Sequence, residues 1–189
     1  MTDTALLLID IQNDYFPGGA MECRDSLSAG KNAENILAFA RKNEILPIHI
    51  RHISTRPGAS FFLPGTLGSE ISPLVSPGEQ EEVIVKHFPN SFRNTDLSAI
   101  LQESGITTLV IAGMMTHMCI DATTRAAADL GYRCILVHDA CATRDQVFLE
   151  ETIPARMVHA SFIAALSGMY AKIVPTEEMI TGIDGLIHK

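Results

Sequence analysis

GMMTHMCIDATTRAA, Gly113 to Ala127, decides how this chain is read. It follows TTLVIAG (107–113), an apolar run of the length of a buried strand, and it leads into an alanine-rich segment that reads as a helix. Cys119 sits where the two would meet. Strand, short turn, helix is half of a βαβ unit, so the rest of the chain is searched for more of the same.

Working outward, apolar runs of strand length recur at ALLLID (5–10), ILPIHIR (45–51), EVIVK (82–86), RCILVH (133–138) and AKIV (171–174). Helix-length amphipathic segments fall between them, at about 28–43, 95–104, 118–130 and 149–167. Gly105 and Gly131 stand just past two of these, where a left-handed residue ends a helix. The alternation predicts a doubly wound α/β fold, a parallel sheet with helices on both faces, as one domain over 1–189. One irregular stretch, 54–81, is rich in Pro and Gly and holds Phe61, Phe62 and Leu63. A connection that long is functional or disordered, and its apolar residues favour packing over a site or a subunit contact.

Composition excludes several classes. With 14 Lys+Arg against 22 Asp+Glu the net charge is −8, and no basic run suited to phosphates is present, so neither nucleic acid nor membrane is an expected partner. The N-terminal apolar run stops at Asp10, too short for a signal peptide or membrane span, which predicts a cytoplasmic protein. Cys23, Cys119, Cys134 and Cys141 lack C-x-x-C or zinc-ribbon spacing and are expected as reduced thiols. Neither G-x-G-x-x-G nor a P-loop follows the first strand, where IQNDYFPGG stands, so a nucleotide- or flavin-binding protein is disfavoured.

Ligands of open parallel sheets bind beyond the carboxyl ends of the strands. Three ends carry reactive residues: Asp10 after LLLI, Lys86 after VIV, and Cys119 after the GMMT turn. A helix start and a nearby ammonium both favour a thiolate, and Asp10 can take the thiol proton or hold it in a hydrogen bond. Backbone N–H groups at the helix start can receive the oxygen of a tetrahedral intermediate. The set reads as acyl-transfer machinery. Around it, Asn13, Tyr15 and Phe16 follow Asp10 closely enough to line a pocket, as Phe88, Ser91 and Phe92 follow Lys86. His117 is two residues from Cys119 and does not face it on a helix, so it is structural or pocket-lining. Thr116 is expected to cap the helix. Asp139 and Thr143 are expected to support the site from the loop after the fifth strand.

ALLLIDIQNDYF, VIVKHFPNSFRNTDL and GMMTHMCIDATTRAAADLGY followed by ILVHDACAT together resemble the isochorismatase-like cysteine hydrolases. That superfamily includes nicotinamidases, N-carbamoylsarcosine amidases and streptothricin hydrolases. The resemblance implies a three-layer αβα fold with a six-stranded parallel sheet and a catalytic triad of Asp10, Lys86 and Cys119. It also implies a cis peptide between Met114 and Met115 that turns the Met115 N–H inward beside that of Cys119 as an oxyanion hole. A homo-oligomer, dimer or tetramer, is expected by the same analogy.

Two departures narrow the activity. Nicotinamidases of this group carry a D-x-H metal motif after the second strand, where this chain has HIRHIS. His49 and His52, three apart on a strand, point to opposite faces and cannot chelate together, so no metal and no other cofactor is expected. His52 is left as a pocket residue. True isochorismatases lack the cysteine nucleophile, so the presence of Cys119 favours attack on a carbonyl carbon. RHISTRPGASFFLPGT resembles the streptothricin-hydrolase members. The expectation is a cofactor-free hydrolase of the C–N bond in a small amide or carbamoyl compound. The alternatives are hydrolysis of another bond by an isochorismatase-type enzyme and a non-catalytic oligomeric binding protein of this fold.

Overall fold

A computed structural model describes residues 3–182, so residues 1–2 and 183–189 of the expected domain lie outside the described residues. The strands of the main sheet are β1 (Thr4–Ile9), β2 (Leu46–His52), β3 (Glu82–Lys86), β4 (Thr108–Met114) and β5 (Arg133–Ala142). A two-stranded ribbon of β6 (Gln146–Phe148) and β7 (Glu151–Ile153) follows, and β8 (Lys172–Val174) completes the main sheet. The helices are α1 (Ser26–Lys42), α2 (Leu97–Glu103), α3 (Asp121–Asp129), α4 (Ala155–Leu166) and α5 (Thr176–Thr181).

The six-stranded sheet runs β3-β2-β1-β4-β5-β8 with every pairing parallel. The chain winds outward from β1 to β3, then starts again at β4 on the other side of β1. That reversal opens a crevice at the carboxyl ends of β1 and β4, the usual ligand position of such sheets.

β1 is apolar at consecutive positions because both its faces are covered. Leu6 and Leu8 pack with Ala29, Ala33, Ile36 and Leu37 of α1, while Ala5, Leu7 and Ile9 pack with Leu97 and Leu101 of α2 and Ala127 of α3. Each fully buried Leu or Ile contributes about 1.5–3 kcal/mol from surface removed from water. The two clusters are the two outer layers meeting the sheet. A three-layer fold follows from that arithmetic of faces.

Gly113 sits where β4 passes Ile9 of β1. Its φ is +134°, and a Cβ there would overlap the Ile9 carbonyl oxygen. Glycine therefore sets the close approach of the two strands at the crevice. Gly113→Ala is expected to lower stability by about 2–3 kcal/mol, seen as an earlier urea midpoint at unchanged slope.

Two expectations are corrected here. The helix expected over 149–167 begins only at Ala155, because Gln146–Phe148 and Glu151–Ile153 pair as an antiparallel hairpin. Its two loop residues, Leu149 and Glu150, both take positive φ, 47° and 67°, the conformation of a two-residue hairpin turn without the usual Asn-Gly signal. Thr116 does not cap a helix. Its hydroxyl donates to the Ala142 carbonyl at 3.2 Å and lies 3.0 Å from His159 Nδ1. No helix among the described residues is long and apolar enough to cross a membrane.

Candidate active site

Asp10 follows β1 directly and takes a left-handed conformation, φ 51°, which a short polar side chain tolerates better than most. Its N–H donates to the Ile50 carbonyl at 3.0 Å, fixing it against the end of β2. Lys86 is the last residue of β3 and pairs with His52 of β2. Because β2 separates β3 from β1, only a side chain as long as lysine spans the gap. Cys119 comes from the far side, in a π-helical turn (Thr116–Ile120) between β4 and α3. Such wide turns are rare and recur at functional sites. The peptide before it, Met114–Met115, is cis, as the family resemblance implied.

Lys86 Nζ is 2.7 Å from Asp10 Oδ2, and both residues are fully buried. The ammonium also donates to the carbonyls of Phe88 at 3.1 Å and Pro89 at 3.3 Å, and lies 3.3 Å from His52 Nδ1. Burial alone would lower the Lys86 pKa, but the Asp10 carboxylate, with the Cys119 sulfur and their hydrogen bonds, turns the net shift upward. Asp10, His52 and Cys119 bring possible ligand atoms within 4.8 Å of one another. Those of Asp10 and His52 already face the Lys86 ammonium, so the cation beside them is the protein's own. His49 points the other way, as strand alternation requires, with Nε2 2.9 Å from Glu81 Oε2.

Asp10 Oδ1 is buried and has no hydrogen bond among the described residues. Cys119 lies beside this carboxylate. Its thiol is pushed well above the ordinary cysteine range, first by burial and then by the Asp10 charge, with Lys86 opposing. The expectation of a resting thiolate is therefore corrected. Asp10 and Lys86 neutralise each other at 2.7 Å, so little net field favours the anion, and burial decides. Burial raises Cys23, Cys134 and Cys141 to about 12 in the same way.

Cys119 stands in the wall of a cavity of about 190 Å³. Tyr15, Phe61, Phe88, Met115 and Met118 give it apolar sides, and His52, Ser54, Thr55, Arg56 and His87 give it polar ones. Of the residues expected to line a pocket, Tyr15, His52 and Phe88 do so. The other five are placed elsewhere, Ser91 being buried with its hydroxyl 2.9 Å from that of Thr123. Asn13 donates through Nδ2 to the Leu67 carbonyl at 2.9 Å, and Phe16 packs on Gly30, where a Cβ would come within 2.8 Å of its ring. Phe92 stacks at 6.0 Å on Tyr132, and His117 is held 2.6 Å from the Thr143 hydroxyl, with its ring against Phe162. Thr143 thus braces the turn, while Asp139 instead accepts two bonds from Thr176 at the start of α5.

The 54–81 segment closes one side of the cavity through Ser54, Thr55, Arg56 and Phe61. Gln12 and Asp14 hold it there. Gln12 Nε2 donates to the carbonyls of His52 and Ser69 at 2.9 and 2.8 Å, and Asp14 Oδ2 accepts from the Phe62 N–H at 2.6 Å. Both are polar, buried and close in sequence to Asp10, the one signal by which they could have been found.

His52 is pushed down to about 4, chiefly by burial, with Asp10 opposing and Lys86, His87 and Arg56 adding to the fall. The folded state then binds fewer protons than the unfolded chain between about pH 6.5 and 4, so stability drops as pH falls through that window. His49, His117 and His159 shift the same way. His52→Gln should flatten the acid side of a stability-against-pH curve by on the order of 2 kcal/mol, as chemical denaturation at stepped pH would read.

The sequence matches the isochorismatase domain model over residues 4–177. The chain belongs to the isochorismatase family. It is 50% identical over 177 residues to the uncharacterized isochorismatase family protein YddQ of Bacillus subtilis, covering 94% of this chain and 98% of that one. It is 36% identical to a streptothricin hydrolase of Streptomyces noursei over 90% of this chain and 62% of that protein. A solved isochorismatase-family structure from Oleispira antarctica superposes with a TM-score of 0.91 at 49% identity, covering 95% and 96% of the two chains. Membership makes this an isochorismatase-family hydrolase by descent, and its α/β fold is that of its solved relatives.

Proposed function

We propose that this family member is a cofactor-free cysteine hydrolase that cleaves the C–N bond of a small amide or carbamoyl compound through a thioester. The observation that carries the reading is the buried, unpartnered Oδ1 of Asp10 beside the Cys119 thiol, at the wall of a cavity. A carboxylate held on one oxygen by Lys86 keeps the other free to accept a proton.

As Cys119 Sγ attacks the carbonyl carbon, its proton passes to Asp10 and the carbonyl oxygen becomes an oxyanion. The N–H groups of Met115 and Cys119 receive that oxygen. The C–N bond then breaks, Asp10 delivers the proton to the departing amine, and an acyl thioester remains. Water attacks the thioester with Asp10 as base, and the acid leaves as the thiol is restored. Lys86 never needs to lose a proton. Its role is to keep the carboxylate ionised and aimed. A neutral resting thiol suits this sequence, because the base acts only when an electrophile is present. The likeness to a streptothricin hydrolase supports a cyclic or small amide as substrate.

The test is ammonia release from a panel of small amides and carbamoyl compounds, with Cys119→Ala as the blank. If the variant matches the native protein on every hit, the assigned nucleophile is wrong.

A further inference from the structure

The cavity beside Cys119 has a charge pattern that the hydrolase reading does not use. Arg56, exposed at its rim, lines it, with no ion pair or side-chain hydrogen bond among the described residues, and its charge acts on His52. By contrast Arg41, Arg51 and Arg125 are each held by a carboxylate, from Glu81, Glu70 and Asp121. No Asp or Glu among the described residues lines the cavity, and the nearby carboxylate of Asp10 is neutralised by Lys86. Behind the Phe88 wall stands a second cation, Arg93, with its guanidinium carbon 3.7 Å from the ring centroid.

His52 adds a directed donor. Its Nδ1 lies 3.3 Å from the Lys86 ammonium, where a lone pair facing the cation is favoured over an N–H, and this assigns the proton to Nε2. That Nε2 has no partner among the described residues, yet it is not one of the sealed, unpaired atoms. It is therefore reached by solvent, on a residue that lines the cavity. The depressed pKa of the ring keeps it neutral at physiological pH, so this donor is permanent there. His87 is arranged oppositely, with Nδ1 donating to the Ile53 carbonyl at 2.8 Å.

We infer that the substrate is a small amide carrying a carboxylate, held at the cavity mouth by Arg56 while the Nε2–H of His52 donates to a second oxygen. This rests on the proposed hydrolase reading for the position of the scissile bond. It adds that an anion is selected over its neutral isostere. An uncommitted guanidinium in a cavity without carboxylates both attracts and orients such a group.

Two alkylating agents of nearly equal size test the charge preference without knowledge of the substrate. Iodoacetate is anionic and iodoacetamide neutral, and each gives a thioether on Cys119 that peptide mass mapping locates. The rate ratio of iodoacetate to iodoacetamide, taken within each protein, cancels differences in intrinsic thiol reactivity. At low salt the ratio at Cys119 is expected to exceed that of a free cysteine amide by about 10-fold. In Arg56→Gln it should fall to within about twofold of the free thiol, while Arg56→Lys keeps most of it. A ratio equal to that of the free thiol, or one unmoved by Arg56→Gln, overturns the anion preference and leaves the nucleophile standing. Failure of both reagents to reach Cys119 in the folded protein overturns the nucleophile reading and this inference together.

Discussion

Cys119→Ala is expected to abolish the proposed amide hydrolysis, with kcat/KM reduced by at least about 10⁴-fold, while the protein remains folded. The expected loss is large because every covalent step of the proposed reaction passes through the sulfur: without it, water must attack an unactivated amide with only oxyanion stabilisation to help. The fold survives because the change deletes one buried atom from a site walled by Met115 and the π-helical turn, a cost of about 1 kcal/mol. Paired measurements separate the two effects, ammonia release for the chemistry and a urea transition for the fold. A variant that keeps even one tenth of native activity would remove Cys119 from the reaction.

Lys86→Met has the largest expected effect on stability. The ammonium is fully buried and serves Asp10, the Phe88 and Pro89 carbonyls and His52 together. Methionine matches its length but leaves the Asp10 carboxylate in the interior without a countercharge, which costs about 3–5 kcal/mol. Asp10 can escape that penalty by taking up a proton, so the loss should be greatest near pH 8 and shrink toward pH 5. Adding Asp10→Asn to the same chain removes the isolated charge and should recover most of the stability with no recovery of activity. If the single variant unfolds at the native urea midpoint across that pH range, the buried pair does not hold the site as described.

The residues differ in how plainly the sequence announced them. Thr4–Ile9 and Thr108–Met114 were legible because a strand covered on both faces must be apolar at consecutive positions, and few other structures require that. Asp10, Lys86 and Cys119 were legible as a set because Asp10 and Lys86 close such runs and Cys119 follows one through a short turn, at the end where crevices form. What remained hidden depends on contacts distant in sequence. Ser54, Thr55, Arg56 and Phe61 reach the cavity because Gln12 and Asp14, some 40 to 57 residues away, clamp the loop. No periodicity encodes that. The hairpin before Ala155 was missed because its turn uses Leu149 and Glu150, residues that read as helix formers until Pro154 is weighed as the true boundary. Phe16 and Phe92 were drawn toward the site by proximity in sequence, yet Phe16 is buried in one core layer and Phe92 packs, half-buried, against the other. The resting state of Cys119 was misjudged for a related reason. The cation and the carboxylate were both foreseen, but their mutual neutralisation at 2.7 Å, which leaves burial in command, is a matter of geometry.

The most direct test of the account is a rapid acid quench of the native protein during turnover of any amide it hydrolyses, followed by intact-mass and peptide-mass analysis. The account predicts an added acyl mass on the peptide bearing Cys119, removed by hydroxylamine and absent from Cys119→Ala. Turnover with no acyl adduct at any time point, from a Cys119→Ala protein as active as the native one, would contradict it.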